Sequence, residues 1–413
     1  MKIRFAYWML FAISMTLTLS THLNDTSATE TLTPTPVAYF EYTVSWQNEE
    51  DVIITRYIGD CSNVVIPSVI SGRNVVGIGR NAFIGNEHLE SVIIPEGVES
   101  IGDSAFSGCV NLRTVILPNT LTTIGRSAFA SCHSLEYILL PEGLTHIGTG
   151  AFQACVSLRN IVIPSSVTHM GAAVFFNVVN LESSLESVTI LANIETLHGS
   201  MFQNRGNLRY VSLPSTLRVI SHSAFEGCTS LEAIVIPDGV EIIEMNAFRG
   251  CTSLRYVTIP NTVVDIGIMA FAECIRLESL VIPASVARLG VHAFWGCDNL
   301  KTIFIEGDNP TITTYYYFHS TPNATVLARF LHDPSGGPFC ENSQATVYFR
   351  PGTYSWTPPL WYGRPLIAMG VYYSNKTVYL SDHPIQVFEI GGRLAVQTES
   401  WSCTTKSDCA IIS

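Results

Sequence analysis

Seven cysteines occupy one position of a repeating pattern: Cys109, Cys132, Cys155, Cys228, Cys251, Cys274 and Cys297, each three residues after a phenylalanine. Thiols on a fixed spacing invite disulfide or zinc chemistry. Zinc sites usually include a close pair such as Cys-x-x-Cys, which this spacing lacks. In a stack of coils, neighbouring members would lie about 5 Å apart and point the same way, whereas a disulfide wants Cβ atoms near 3.8 Å with a steep dihedral. The expectation is packing, with the thiols as small buried hydrophobes. Only Cys403 and Cys409, in the polar tail, form a candidate local disulfide.

Other chemistry is sparse. His146 and His169 share one repeat position, so their rings could be neighbours, but the flanking positions hold Thr123 and Thr196. No metal or cofactor is expected from that pair. The chain has no Gly-x-Ser-x-Gly elbow, no glycine-rich phosphate loop after a strand and no His-Glu-x-x-His. No catalytic residues are assigned, and a non-enzymatic protein is expected; an enzymatic reading would rest on residues 311–413. Sequons at Asn24, Asn323 and Asn375 lie outside the regular pattern, and Asn323 and Asn375 are candidate glycosylation sites.

The elements that position these residues follow from the period. Phenylalanines fall at Phe83, Phe106, Phe129, Phe152 and Phe175, each 23 residues after the last, and after a slip of four at Phe202, Phe225, Phe248, Phe271 and Phe294. A fixed period of this size means a solenoid, because one such coil cannot bury its apolar side alone. In the coil Ile101 to Pro118, Leu112 to Leu117 reads as a strand with Val115 and Leu117 on one face, and Pro118 ends it. Gly102, Ala105 and Phe106 mark a turn and a compact outer segment. Stacked coils should join these strands into one parallel sheet.

The recurring Ile-Gly, Ala-Phe, Cys, Leu and Ile-Pro, in order from about Ile78 to Pro283, resemble the BspA-type leucine-rich repeat family. Residues from Tyr42 to Phe83 resemble the amino-terminal cap of such proteins. Ala345 to Tyr348, Gly352 to Trp356 and Gly363 to Pro365 resemble a segment found after many bacterial arrays. The likeness covers roughly three quarters of the chain. It implies a leucine-rich repeat solenoid with a parallel concave β-sheet and short convex turns or helical segments. It also implies an exported or surface protein, of a kind often linked to attachment to host or extracellular proteins; fold transfers better than partner.

Domain expectations follow in chain order. Lys2, Arg4 and the apolar stretch Phe5 to Leu19 read as a signal peptide over residues 1–20, with a retained signal anchor as the alternative. A linker follows at 21–38, a cap at 39–80 and the solenoid at 81–310. An irregular terminal cap segment is expected at 311–370 and a β-rich tail of unassigned role at 371–413. No later segment reaches the roughly 18 apolar residues of a second span, so the mature chain should lack one. The fifth coil carries an insertion within Phe176 to Ser184, expected to bulge with Phe176, Val178 and Val179 near its base, and Val178 and Arg205 interrupt the cysteine column.

The outward columns carry the functional reading. The residue after the strand leucine runs Glu90, Arg113, Glu136, Arg159, Glu186, Arg209, Glu232, Arg255, Glu278, Lys301, alternating in sign throughout. In register, such a column should neutralise itself and help fix the stack. The next two columns place Tyr137, Tyr210, Tyr256, Val235 and Phe304 outward, an apolar and aromatic stripe that is the candidate protein-binding surface. A formal charge of −12 argues against a nucleic-acid partner. Two functions remain: an exported binding or adhesion module holding a protein or glycoprotein on its concave face, or a structural, surface-layer repeat protein acting by self-association. Its place would be secreted or at the cell surface.

Overall fold

The computed structural model describes residues 33–178 and 181–307, and beyond them the strands Thr311–Thr313, Thr346–Phe349, Leu360–Trp361, Arg364–Ala368, Tyr372–Ser374, Thr377–Tyr379, Gln386–Ile390 and Arg393–Gln397. The signal segment, Val179, Cys403, Cys409, Asn323 and Asn375 lie outside the described residues.

The coils build two parallel ladders where the sequence reading anticipated one, and the first is interrupted: its strands fall into four separate runs, and the coil of Tyr137 and Leu139 contributes no strand to it. The first ladder uses the strand before the proline: Ser91–Ile93 pairs in register with Thr114–Ile116, and Asn160–Ile163 with Ser187–Ile190. The second uses two residues in most coils, as in Ser100–Ile101, Thr123–Ile124, His146–Ile147 and His169–Met170. A two-residue strand is too short to show alternation, so it leaves no periodic signature of its own. The second ladder stops at the insertion and resumes with Thr196–Leu197 against Val219–Ile220.

The outer segment is built from turns, with no α-helix among the described residues. Two positions in nine of the ten phenylalanine coils adopt left-handed backbone, for example Ser104 (φ 55°) and Gly108 (φ 75°), and this prevents a continuous helix. The segment still joins coil to coil: the Phe106 amide donates to the Ala128 carbonyl at 2.8 Å. At the amino-terminal end, Phe40–Val44 runs antiparallel to Asp51–Tyr57, which pairs with Arg73–Ile78 and so continues the second ladder.

The ten phenylalanines form one fully buried stack with ring centroids 4.8 to 5.8 Å apart. Tyr57 extends it by one ring. Phe175 and Phe202, on either side of the insertion, still lie 5.6 Å apart, so the extra residues leave the core column in step. All seven repeat cysteines are buried and free. Each thiol donates to the carbonyl of a phenylalanine 26 residues earlier, from Cys109 to Phe83 at 3.1 Å through Cys297 to Phe271 at 3.1 Å. A cysteine here is therefore more than a small filler: its weak S–H donor meets a buried backbone acceptor.

Arg205 shows what happens when the column breaks. Val178, the fifth-coil residue at the cysteine position, is exposed, which leaves the Phe152 carbonyl without its thiol. The fully buried Arg205 guanidinium fills the gap. Nη2 donates to Phe152 O at 3.3 Å and Nη1 to Cys155 O and Ser183 Oγ, each at 3.0 Å, while Nε donates to Phe175 O. One side chain thus serves the acceptors of two missing cysteines. Its burial pushes the guanidinium pKa down to about 10.

The sign alternation also marks a two-coil unit. At every step from an acidic coil to a basic one, the base's amide donates to the acid's carbonyl: Arg113 to Glu90, Arg159 to Glu136, Arg209 to Glu186, Arg255 to Glu232, Lys301 to Glu278. In the opposite step only Glu186 to Arg159 is closed among the described residues. Hydroxyls bridge both kinds of step, with Thr120 donating to Val98 O at 2.9 Å and Thr262 to Val240 O at 2.7 Å within pairs, and Thr145 to Thr122 O at 3.0 Å between them.

Candidate functional site: the open face of the first sheet

Along each coil the strand leucine points inward and the next residue outward, so the first ladder presents columns of exposed side chains at strand spacing. Tyr137 is 45%, Tyr210 61%, Tyr256 55% and Val235 76% exposed. Ala233 pairs with Tyr256 and Val235 with Thr258 in register, so the small alanine lies between the coils of Tyr210 and Tyr256. Leu139, at 73% exposed, lies at the same outward repeat position as Val235, in a coil that carries no strand there. With Ile116 and Val162, also exposed, it makes a second apolar tract toward the amino-terminal coils.

Phe304 does not belong to this surface. It is 6% exposed, and Thr302, the strand's other outward position, is buried too. The ladder continues past this strand through Thr346–Phe349, with Phe304 in register beside Tyr348. The open face therefore ends before the tenth coil.

The alternating charges are all exposed and their backbones are in step, but the expected self-neutralisation is incomplete. Among the described residues none of the ten closes an ion pair. The pairs that do form lie elsewhere: Arg218 with Glu241 at 2.5 Å, Arg249 with Glu273 at 2.9 Å, Arg288 with Asp265 at 2.8 Å.

The histidines do meet. His146 and His169 are in register, their ring centroids 5.4 Å apart, and they border a groove of about 460 Å³ with His198 at one end. Gly148 belongs to its floor, where a Cβ would lie 2.5 Å from the Arg126 backbone. Partial burial and the neighbouring His169 hold His198 below its ordinary pKa. Among the described residues no group of three or more His, Cys, Asp or Glu could hold a metal ion. The thiols are likewise quiet, since burial pushes Cys109, Cys155 and Cys228 up to about 12.

Two stacked parallel ladders, a phenylalanine spine and an outward-facing strand column define a leucine-rich repeat solenoid. The sequence profile of the BspA type leucine rich repeat region matches residues 76–209 and 195–325, in six copies. The chain belongs to the BspA-type leucine-rich repeat family. It is similar to a leucine-rich repeat protein from Bacteroides ovatus, at 26% identity over 75% of this chain and 70% of that one, with a TM-score of 0.54. It is also similar to the Treponema pallidum leucine-rich repeat protein, at 34% identity over 48% of this chain and 91% of that one, TM-score 0.44. A leucine rich cell surface protein from Faecalibacterium prausnitzii matches at 22% identity over 79% and 91% of the two chains, TM-score 0.45. No curated protein matches this chain. Among the described residues no helix is long and apolar enough to cross a membrane.

Proposed function

We propose that this chain is an exported, non-enzymatic binding module of the adhesion type, which holds a protein or glycoprotein on the open face of its first sheet. One observation carries the reading: three tyrosines and four aliphatic residues stand exposed at the outward repeat positions on the side of the first ladder. Burying such groups on that face has no role in the fold itself, while tyrosine supplies large amphipathic contact area at low entropic cost. The amino-terminal signal pattern supports export, and the family's repeat architecture supports binding through an extended surface. The self-association alternative has its own support in the unpaired charge column.

Affinity capture with the secreted chain tests the reading. Tyr210→Ala with Tyr256→Ala should reduce partner recovery at least tenfold while circular dichroism and melting stay as in the parent. Undiminished recovery by that folded variant would move the binding surface elsewhere, first to the insertion or the amino-terminal hairpin.

A further inference from the structure

The charge column is antisymmetric about its centre. Numbering coils from the first phenylalanine coil, each acid has a base in the coil that replaces it when the order is reversed. Glu90 exchanges with Lys301, Arg113 with Glu278, Glu136 with Arg255, Arg159 with Glu232, and Glu186 with Arg209. The structure leaves all ten exposed and, among the described residues, without an ion pair.

We propose that this face docks a second copy of the chain, the two solenoids antiparallel about a two-fold axis that runs along the strands between the fifth and sixth coils. The inference rests on the reading of the face as an interaction surface and names its occupant. A rotation about that axis turns the two faces toward each other, keeps every column over itself and reverses the coil order. Ten opposite-charge contacts result, two for each exchanged pair, as an isologous interface requires.

The neighbouring columns follow the same operation in part, since Leu139 comes opposite Thr258 and Tyr210 opposite the buried Ser187. Val162, 49% exposed, comes to face Val235, 76% exposed. Tyr137 faces Tyr256. Thr189 faces Ser212, polar against polar, beside the axis. No such match was needed to fold one chain, because these side chains point away from the core.

The alternation also excludes competing arrangements. Sliding one copy by a single coil sets like charge against like over the whole column, and so does stacking the copies in the same coil order with column over column. The first coil would face the tenth, whose Thr302 and Phe304 are buried, so three columns meet over eight coils and give a face of about 550 Å² a side, below the usual size for a specific pair. The association should accordingly be weak and strongly dependent on ionic strength.

Sedimentation of the full chain under reducing conditions, at about 0.1 mM and low salt, tests this with two charge reversals. Glu186→Arg and Arg209→Glu, each alone, set like charges opposite at the axis, and each should weaken dimerisation at least tenfold. An equimolar mixture of the two should associate again, because the mixed pair regains both central contacts. The double variant in one chain should also dimerise. Within the monomer it leaves Arg159 beside a new arginine and Glu232 beside a new glutamate, so a column that served only the fold would show no rescue. A monomeric wild type, single variants that dimerise like wild type, or a mixture that stays monomeric would each overturn the proposal. If the wild type is monomeric but partner capture still depends on Tyr210 and Tyr256, the face belongs to a different protein and only the dimer is lost. Capture insensitive to the tyrosines alongside an intact dimer would instead remove the foreign-partner reading.

Discussion

Arg205 carries a buried charge with backbone carbonyls as its acceptors. Arg205→Met should destabilise by about 3 kcal/mol in chemical denaturation, since it strands several buried acceptors. Arg205→Cys should recover part of that, restoring a donor for Phe175 alone. Equal stability of the two variants would show that the carbonyl contacts contribute little. The thiols set a second residue-scale expectation. Cys109, Cys155 and Cys228 are raised from 9.0 to about 12, so the folded chain retains protons that the unfolded chain releases. Their stabilising contribution is complete below pH 9 and is lost as pH rises toward 12, by about 1.4 kcal/mol per pH unit for each thiol. Arg205 acts in the opposite sense above about pH 10, but it is one group against at least three. Melting temperature should fall steeply between pH 9 and pH 12. A flat profile there would contradict burial of the thiols.

At the scale of the element, the two-coil unit makes a prediction about local opening. Amides of Arg159, Arg209 and Arg255 are hydrogen-bonded within a unit, whereas those of Glu136 and Glu232, at the junctions, have no such backbone acceptor. Hydrogen exchange at Glu136 and Glu232 should be at least tenfold faster. Uniform protection along the column would dissolve the unit. The same scale shows what the sequence made legible. The phenylalanine spacing and Ile-Pro strand ends specify the solenoid, the spine and the first ladder, since each is a recurring side-chain demand. The second ladder was hidden because most of its strands are two residues long. Arg205 stood out only as an interruption of the cysteine column; its task depends on carbonyls left behind by a displaced coil, and sequence spacing does not report that. The burial of Phe304 is likewise a matter of how the ladder continues past its strand.

For the whole molecule, periodicity gives more about shape than about partner. The outward columns were legible as columns, and Tyr137, Tyr210, Val235 and Tyr256 stand exposed as that pattern places them. Which of them bind is a separate matter, because β-branched residues satisfy strand propensity even where nothing docks. Charge reversal offers an intermediate check. Glu232→Arg sets a base between Arg209 and Arg255, and with no ion pair to break it should cost under about 1 kcal/mol at low salt and almost nothing at high salt. A large, salt-independent loss would mean that the column is more tightly coupled to the fold than its exposure indicates.

The central claim is that the first sheet's open face is where this protein binds, and hydroxyl-radical footprinting of the full chain tests it most directly. The chain would be compared alone and dilute against the chain concentrated or saturated with captured partner. Protection concentrated on Tyr137, Tyr210, Val235 and Tyr256, with Trp46 and Trp295 unchanged as exposed references away from that face, is the predicted result. Protection of the amino-terminal hairpin or the insertion, with those four residues still fully reactive, would contradict it.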